Sequence, residues 1–155
     1  APRAELVSQV VHGDRVLVTD GRTIGSSSEK FDAILIDAPC TGLGALRRRP
    51  EVRWRRTLQD LRALTQLQRE LVDSAIQALN PGGVLGYATC SPHVAETSIQ
   101  IADIKKKHSQ LQQIPVDEYL PASLQDATRD GAMSLWTHKH GTDAMYLALF
   151  RKDIG

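Results

Sequence analysis

Short apolar runs alternate along this chain with one long amphipathic stretch, separated by turns rich in glycine, proline and small polar residues. Ala4 to Val11 reads as the end of a helix, with His12-Gly13-Asp14 as a turn. Val16-Leu17-Val18 predicts a short strand ending in Thr19-Asp20-Gly21, and Gly25-Ser26-Ser27-Ser28 predicts a loop. Phe31 to Ile36 predicts a buried strand that runs straight into Asp37-Ala38-Pro39-Cys40. From Thr57 onward, Leu58, Leu61, Leu64, Leu67, Leu71, Ala75 and Leu79 recur at steps of three or four, the period of one helix face. Thr57 and Asp60 have the spacing of a capping box at its start, and Asn80-Pro81-Gly82-Gly83 stops it. Val84 to Ala88 is the next strand and delivers Thr89-Cys90-Ser91. Pro92 through Lys107 suits a helix, with Ser91 as its N-cap and proline at the first helical position. Leu111 to Val116 predicts a strand, Asp117 to about His140 an irregular stretch, and Met145 to Phe150 a closing strand.

Strands alternating with helices predict an α/β fold with a largely parallel sheet. No internal repeat or low-complexity tract interrupts the pattern, so residues 1–155 read as part of one domain. Composition adds little: 41% hydrophobic and 24% charged residues are ordinary for a globular chain, and a net charge of +1 names no partner. No apolar run has the length of a membrane span, so no membrane partner is expected. The two cysteines have the spacing of neither a zinc site nor a disulfide framework. A reduced, cytoplasmic chain without a metal is therefore expected.

In open α/β sheets, ligands bind beyond the carboxyl ends of the strands. Asp20, then Asp37 with Cys40, then Cys90 all fall at such ends. A free cysteine is by default a small buried hydrophobe. Both cysteines of the chain in polar turns after strands point instead to chemistry. Cys90 would gain from the positive end of the helix expected at Ser91-Pro92, which favours a thiolate, the form that attacks a substrate. His93 reads as a solvated helix residue rather than a base. Arg47, Arg48, Arg49, Arg53, Arg55 and Arg56 crowd one segment, with Trp54 among them and only Glu51 opposing. Following Cys40 on the same rim, this segment reads as an RNA contact, with a solvated linker as the plain alternative. Trp54 taken alone reads as a packing residue. His138 and His140, without metal-type partners nearby, read as structural.

These residues resemble, in order, the motifs of the RNA cytosine-C5 methyltransferases, the Sun/Fmu and NOL1/NOP2/Sun family. Asp37-Ala38-Pro39-Cys40 and Thr89-Cys90-Ser91 match its paired cysteine motifs, and Asp20-Gly21-Arg22 looks like its third motif. Arg49-Pro50, Glu96, and Leu135-Trp136 through His138, His140, Gly141, Thr142 and Asp143 agree as well. The resemblance implies a Rossmann-like class I methyltransferase fold and S-adenosylmethionine (SAM, S-adenosyl-L-methionine) as cofactor. It also implies an RNA substrate, in the first place ribosomal RNA. Cys90 would be the nucleophile that adds to carbon 6 of cytosine, and Cys40 would assist release of the product. Asp20 and Asp37 would bind the cofactor, and Arg47, Arg48 and Arg49 would contact RNA.

The family's glycine-rich loop and its ribose-binding acidic residue are not present, so the fold is expected to be truncated at its N-terminus, without its first two strands. That would bare the edge of Phe31 to Ile36 and invite self-association. A non-catalytic RNA-binding module or pseudoenzyme is the competing reading. An amino-group methyltransferase is disfavoured because Asp37-Ala38-Pro39-Cys40 offers a thiol in place of a Pro-Pro-aromatic element. A thiol hydrolase lacks a convincingly placed histidine or asparagine.

Overall fold

The computed structural model of the chain describes residues 16–155, so the expected helix end at Ala4 to Val11 and the turn at His12-Gly13-Asp14 lie outside the described residues. The ordered elements are β1 (Phe31–Asp37), α1 (Val52–Arg55), α2 (Leu58–Ala78), β2 (Leu79–Thr89), α3 (Ser98–Lys107), β3 (Leu111–Ile114), β4 (Thr128–Arg129), β5 (Ala132–Leu135), α4 (Thr137–His140) and β6 (Met145–Lys152). The sheet runs β1-β2-β6-β5-β4, and β3 also pairs with β6.

Among the described residues only β1 and β2 are parallel, and every other pairing is antiparallel. The expectation of a largely parallel sheet is therefore corrected. The βαβ crossover through α2 enforces one parallel pair, whereas β6 enters between β2 and β5 from the opposite direction. The stretch from Asp117 to His140, expected to be irregular, contains two 3₁₀ turns, the β4–β5 hairpin and α4.

Val16-Leu17-Val18 is not a strand. Leu17 and Val18 are 60% and 70% exposed, and a strand without a neighbour has nothing to hydrogen-bond to. For the same reason β1 is not the buried strand expected: among the described residues it pairs on one side only, Ile36 is its only buried residue, and Leu35 is 70% exposed.

The capping box at the start of α2 is present. Thr57 Oγ1 accepts from the Asp60 amide at 3.2 Å, and Asp60 Oδ2 accepts from the Thr57 amide at 2.8 Å. The buried face of α2 differs from the leucine stripe. Thr65, Gln68, Val72, Ser74, Ala75, Ile76 and Ala78 are buried, whereas Leu58 is exposed and Leu61, Leu64, Leu67 and Leu71 are half-buried. With α3, α2 covers one face of the sheet. Ile36, Leu85, Tyr87, Ala148 and Phe150 meet Val72, Ile76, Ile101 and Ile104 there. Each large side chain so buried contributes about 1.5–3 kcal/mol.

Candidate active site

The site is built by the parallel pairing of β1 and β2. Asp37 lies opposite Ala88, and the Ala38 amide donates to the Ala88 carbonyl at 2.8 Å. The segments that continue each strand therefore leave the sheet side by side. Residues fifty apart in sequence meet: Cys40 Sγ and Cys90 Sγ are 3.3 Å apart, both half-buried and both free thiols.

The expected helix start behind Cys90 is absent. Pro92 is not helical; a 3₁₀ turn spans Val94–Glu96 and α3 begins only at Ser98. Ser91 Oγ accepts from the His93 amide in a local turn, and His93 Nδ1 accepts from the Ala95 amide, so His93 is the cap. A proline after a buried serine suits a tight turn as well as a helix start, and here the buried contacts of Ser91 decide. The helix dipole is thus not what activates Cys90. Its neighbour is. The hydrogen bond from Cys40 draws the Cys90 thiol down from 9.0 to about 7, against the opposing effects of burial and of the Asp37 and Glu96 carboxylates. The same bond, together with burial, pushes Cys40 up, so Cys40 keeps its proton while Cys90 is the thiolate.

A pH dependence follows from these directions. Alkylation of Cys90 by iodoacetamide, followed on its peptide by mass spectrometry, is expected to show a midpoint near pH 7, as the bond from Cys40 sets it. In Cys40→Ala the burial and carboxylate effects are opposed only by the bond of the Cys90 backbone amide to its own sulfur, so the midpoint rises well above 7. The rate at pH 7 then falls by about tenfold or more, since less thiolate is present. An unchanged midpoint would show that Cys40 does not polarise Cys90.

A buried polar network holds the Cys40 side in place. Glu96 is fully buried without a basic partner. Its Oε1 accepts from the Thr41 amide at 2.8 Å and from Gln68 Nε2 at 3.2 Å, and its Oε2 accepts from Thr41 Oγ1 at 2.5 Å. Thr41 Oγ1 also lies 3.1 Å from Ser91 Oγ, which ties the two cysteine segments together. Gln68 Nε2 donates to the Pro39 carbonyl, and the Tyr87 hydroxyl donates to Gln68 Oε1 and the Glu96 carbonyl. These bonds explain why polar Gln68 occupies the buried face of α2. Thr65 contributes its carbonyl, which accepts from Gln100 Nε2.

Gly44 completes the frame. Its amide donates to the Cys90 carbonyl at 2.9 Å, and its carbonyl accepts from the Ala144 amide at 2.9 Å. The close approach of three backbones requires glycine: a Cβ here would stand 2.0 Å from the Ala144 oxygen. Hydrophobic periodicity could not single out Gly44, and the sequence reading missed it, as it did Thr41 and Gln68.

The arginine segment is divided. Arg48 grips Asp143 with two nitrogens and Arg47 stands 3.8 Å from the same carboxylate, which the Arg48 bonds hold below the usual carboxylate range. Arg56 Nε donates to the Thr41 carbonyl at 3.1 Å. The Arg49 side chain is exposed, and its guanidinium has no hydrogen-bond partner among the described residues. Trp54 is 81% exposed under the Arg53 guanidinium, so it does not pack as expected. His140 is structural: its Nδ1 accepts from the Trp136 amide.

Asp37 is the exposed last residue of β1, and its carboxylate has no hydrogen-bond partner among the described residues. Asp20 caps the 3₁₀ turn Gly21–Ser26, and Arg22 binds both its oxygens, holding its pKa at about 2. A ligand that binds the Asp20 carboxylate would first have to displace Arg22. Neither of the two best-formed cavities among the described residues is lined by either carboxylate. No cluster of metal-ligating side chains occurs, and no helix is long and apolar enough to cross a membrane, among the described residues.

Comparison with known proteins matches the model of the family described as 16S rRNA methyltransferase RsmB/F to residues 5–151. The candidate methyltransferase MT1451 of Mycobacterium tuberculosis (strain CDC 1551 / Oshkosh) is 49% identical over 154 residues, covering 97% of this chain and 33% of that protein. Ribosomal RNA small subunit methyltransferase B of Shewanella oneidensis is 33% identical over 151 residues, with the same two coverages. Among solved structures, NSun6 from Pyrococcus horikoshii with SFG superposes with a TM-score of 0.78 at 27% identity, covering 99% of this chain and 38% of that one. This chain spans about a third of the length of the first two relatives.

Proposed function

Because the chain belongs to the 16S rRNA methyltransferase RsmB/F family, we propose that it is the cysteine-bearing part of a single catalytic domain that methylates carbon 5 of cytosine in ribosomal RNA. The observation that carries this reading is the thiol pair at 3.3 Å, with Cys90 poised as the thiolate. SAM would supply the electrophilic methyl group, with Asp37 and Asp20 on the side where it is held.

Carbon 5 of cytosine is a weak nucleophile. Addition of the Cys90 thiolate to carbon 6 forms the S–C6 bond and shifts the C5–C6 π electrons onto carbon 5 and the ring, which makes carbon 5 enamine-like. Once carbon 5 carries the methyl group, its proton passes to a water molecule, the electrons of that C–H bond rebuild the C5–C6 double bond, and the S–C6 bond breaks with its pair leaving on sulfur. The Cys40 S–H then donates to the departing sulfur, the same bond that stabilises the thiolate before attack, and so makes Cys90 a better leaving group. Arg49, Arg53 and Arg55, exposed on the segment behind Cys40, would pair with RNA phosphates, while Arg47 and Arg48 are shared with Asp143.

The test uses RNA in which pyrimidin-2-one ribonucleoside replaces one cytidine, since its more electrophilic carbon 6 accepts a thiolate without a methyl donor. A band retarded on a denaturing gel is expected for the wild type and lost in Cys90→Ala. In Cys40→Ala it forms more slowly and persists after dilution. An adduct undiminished in Cys90→Ala would remove Cys90 as the nucleophile.

A further inference from the structure

A cavity of about 810 Å³ opens beside the segment that follows Cys90, and neither the thiol pair nor the arginine segment lines it. We propose that it is a nucleobase subsite, which takes the base of the nucleotide adjacent to the one Cys90 attacks. This deepens the proposed function and rests on it.

Position is the first argument. The cavity wall begins at Pro92, two residues past Cys90, so at 3.8 Å between consecutive Cα atoms it starts within about 8 Å of the nucleophile. Met145 and Tyr146 also line it, and they directly follow the Asp143-Ala144 pair that holds Arg47, Arg48 and Gly44. A strand of RNA lying on the arginine segment with its target base at Cys90 thus passes this opening. The volume falls within the range of about 300–1,000 Å³ typical of small-ligand sites.

Chemistry is the second. Trp136 lines the cavity and remains 41% exposed. The His138 ring lies 6.1 Å from it at a tilt of 50°, so the two rings do not stack face to face and cover one another. The hydroxyls of Ser98 and Ser134 also line the cavity, with no hydrogen-bond partner among the described residues. The charges cancel: Lys139 is 2.9 Å from Asp126, and Arg129 is 3.7 Å from Asp130. Such a pocket has no uncompensated cation for a phosphate, but it has an aromatic face and polar edges for an uncharged planar ring. Phosphates and base therefore separate, the former to the arginines and the latter to this cavity.

The test is fluorescence anisotropy with a short single-stranded oligoribonucleotide carrying one central cytidine, compared with the same RNA made abasic immediately 5′ or 3′ of that cytidine. The wild type is expected to lose about tenfold in affinity for one of the two abasic RNAs, as removal of one stacked base does. Trp136→Ala loses the same factor on the intact RNA and no longer distinguishes it from the abasic one, whereas Trp136→Phe restores the distinction. Val94→Glu, at a 56%-exposed position on the cavity wall, puts a charge there without disturbing the core and weakens binding similarly. Equal affinity for all three RNAs, equal losses by Trp136→Ala on intact and abasic RNA, or no measurable binding of any of them overturns the subsite. If the Cys90 adduct still forms, only the subsite falls; if it does not, the proposed function falls first.

Discussion

Gly44→Ala is expected to abolish the Cys90 adduct and to lower the melting temperature. The added methyl would lie 2.0 Å from the Ala144 oxygen and 2.7 Å from the Cys90 oxygen, and both are backbone atoms that cannot swing aside. Relief requires the Cys90 segment and the start of β6 to separate, which breaks the Gly44-to-Cys90 and Ala144-to-Gly44 hydrogen bonds, each 2.9 Å. Overpacking costs about 1–3 kcal/mol, and two lost backbone bonds about 1 kcal/mol each, so destabilisation of about 3–5 kcal/mol is expected. For a chain of this size that is a fall of about 6–20 °C in Tm. Calorimetric melting and the gel assay together check it. A variant with an unaltered Tm and adduct yield would show that the three backbones do not meet as described.

The second large effect concerns Glu96, where two substitutions should part company. Glu96→Ala strips the Thr41 amide and hydroxyl of their acceptor, and Gln68 Nε2 of one of its two, in a site sealed from water, and leaves a cavity. Each unsatisfied buried donor costs about 1–3 kcal/mol, so about 3–5 kcal/mol is expected in all. Because Thr41 follows Cys40 directly, the Cys90 alkylation midpoint should rise toward that of Cys40→Ala. Glu96→Gln keeps one oxygen for the Thr41 amide and Gln68. Its new NH₂ donates to Thr41 Oγ1, which then turns its own proton toward Ser91 Oγ. The cost should stay at about 1 kcal/mol, with the Cys90 midpoint slightly lowered, because the Glu96 charge that opposes the thiolate is gone. Urea unfolding of both variants measures the difference. Equal losses would mean that the charge of the carboxylate, rather than its acceptor geometry, is what the loop requires.

Much of the scaffold was legible because it rests on local signals. The capping box at Thr57 and Asp60, the stop at Asn80-Pro81-Gly82-Gly83, the strands at Phe31 and Val84 and the closing strand at Met145 each depend on residues within a few positions of one another. The errors came where a distant partner outweighed local preference. Ser91-Pro92 has the form of a helix start, but Ser91 is fully buried and faces Thr41, so the helix waits until Ser98. The α2 leucines have the right period. Yet the face that is buried is the one carrying Gln68, because the loop after β1 needs its amide.

By itself, then, the sequence determined that two cysteines would each follow a strand into a polar turn, that a basic segment would follow the first of them, and, through the order of its motifs, the family. Only the tertiary structure decided that the two sulfurs stand 3.3 Å apart, that Cys90 owes its acidity to Cys40 and not to a helix, and that Gly44 and Glu96 hold the two segments together. The physical reason is range. Capping and periodicity act over one or two turns of chain. A thiol's ionisation depends on atoms a few ångströms away, and these are brought there by the parallel register of β1 against β2 across fifty residues.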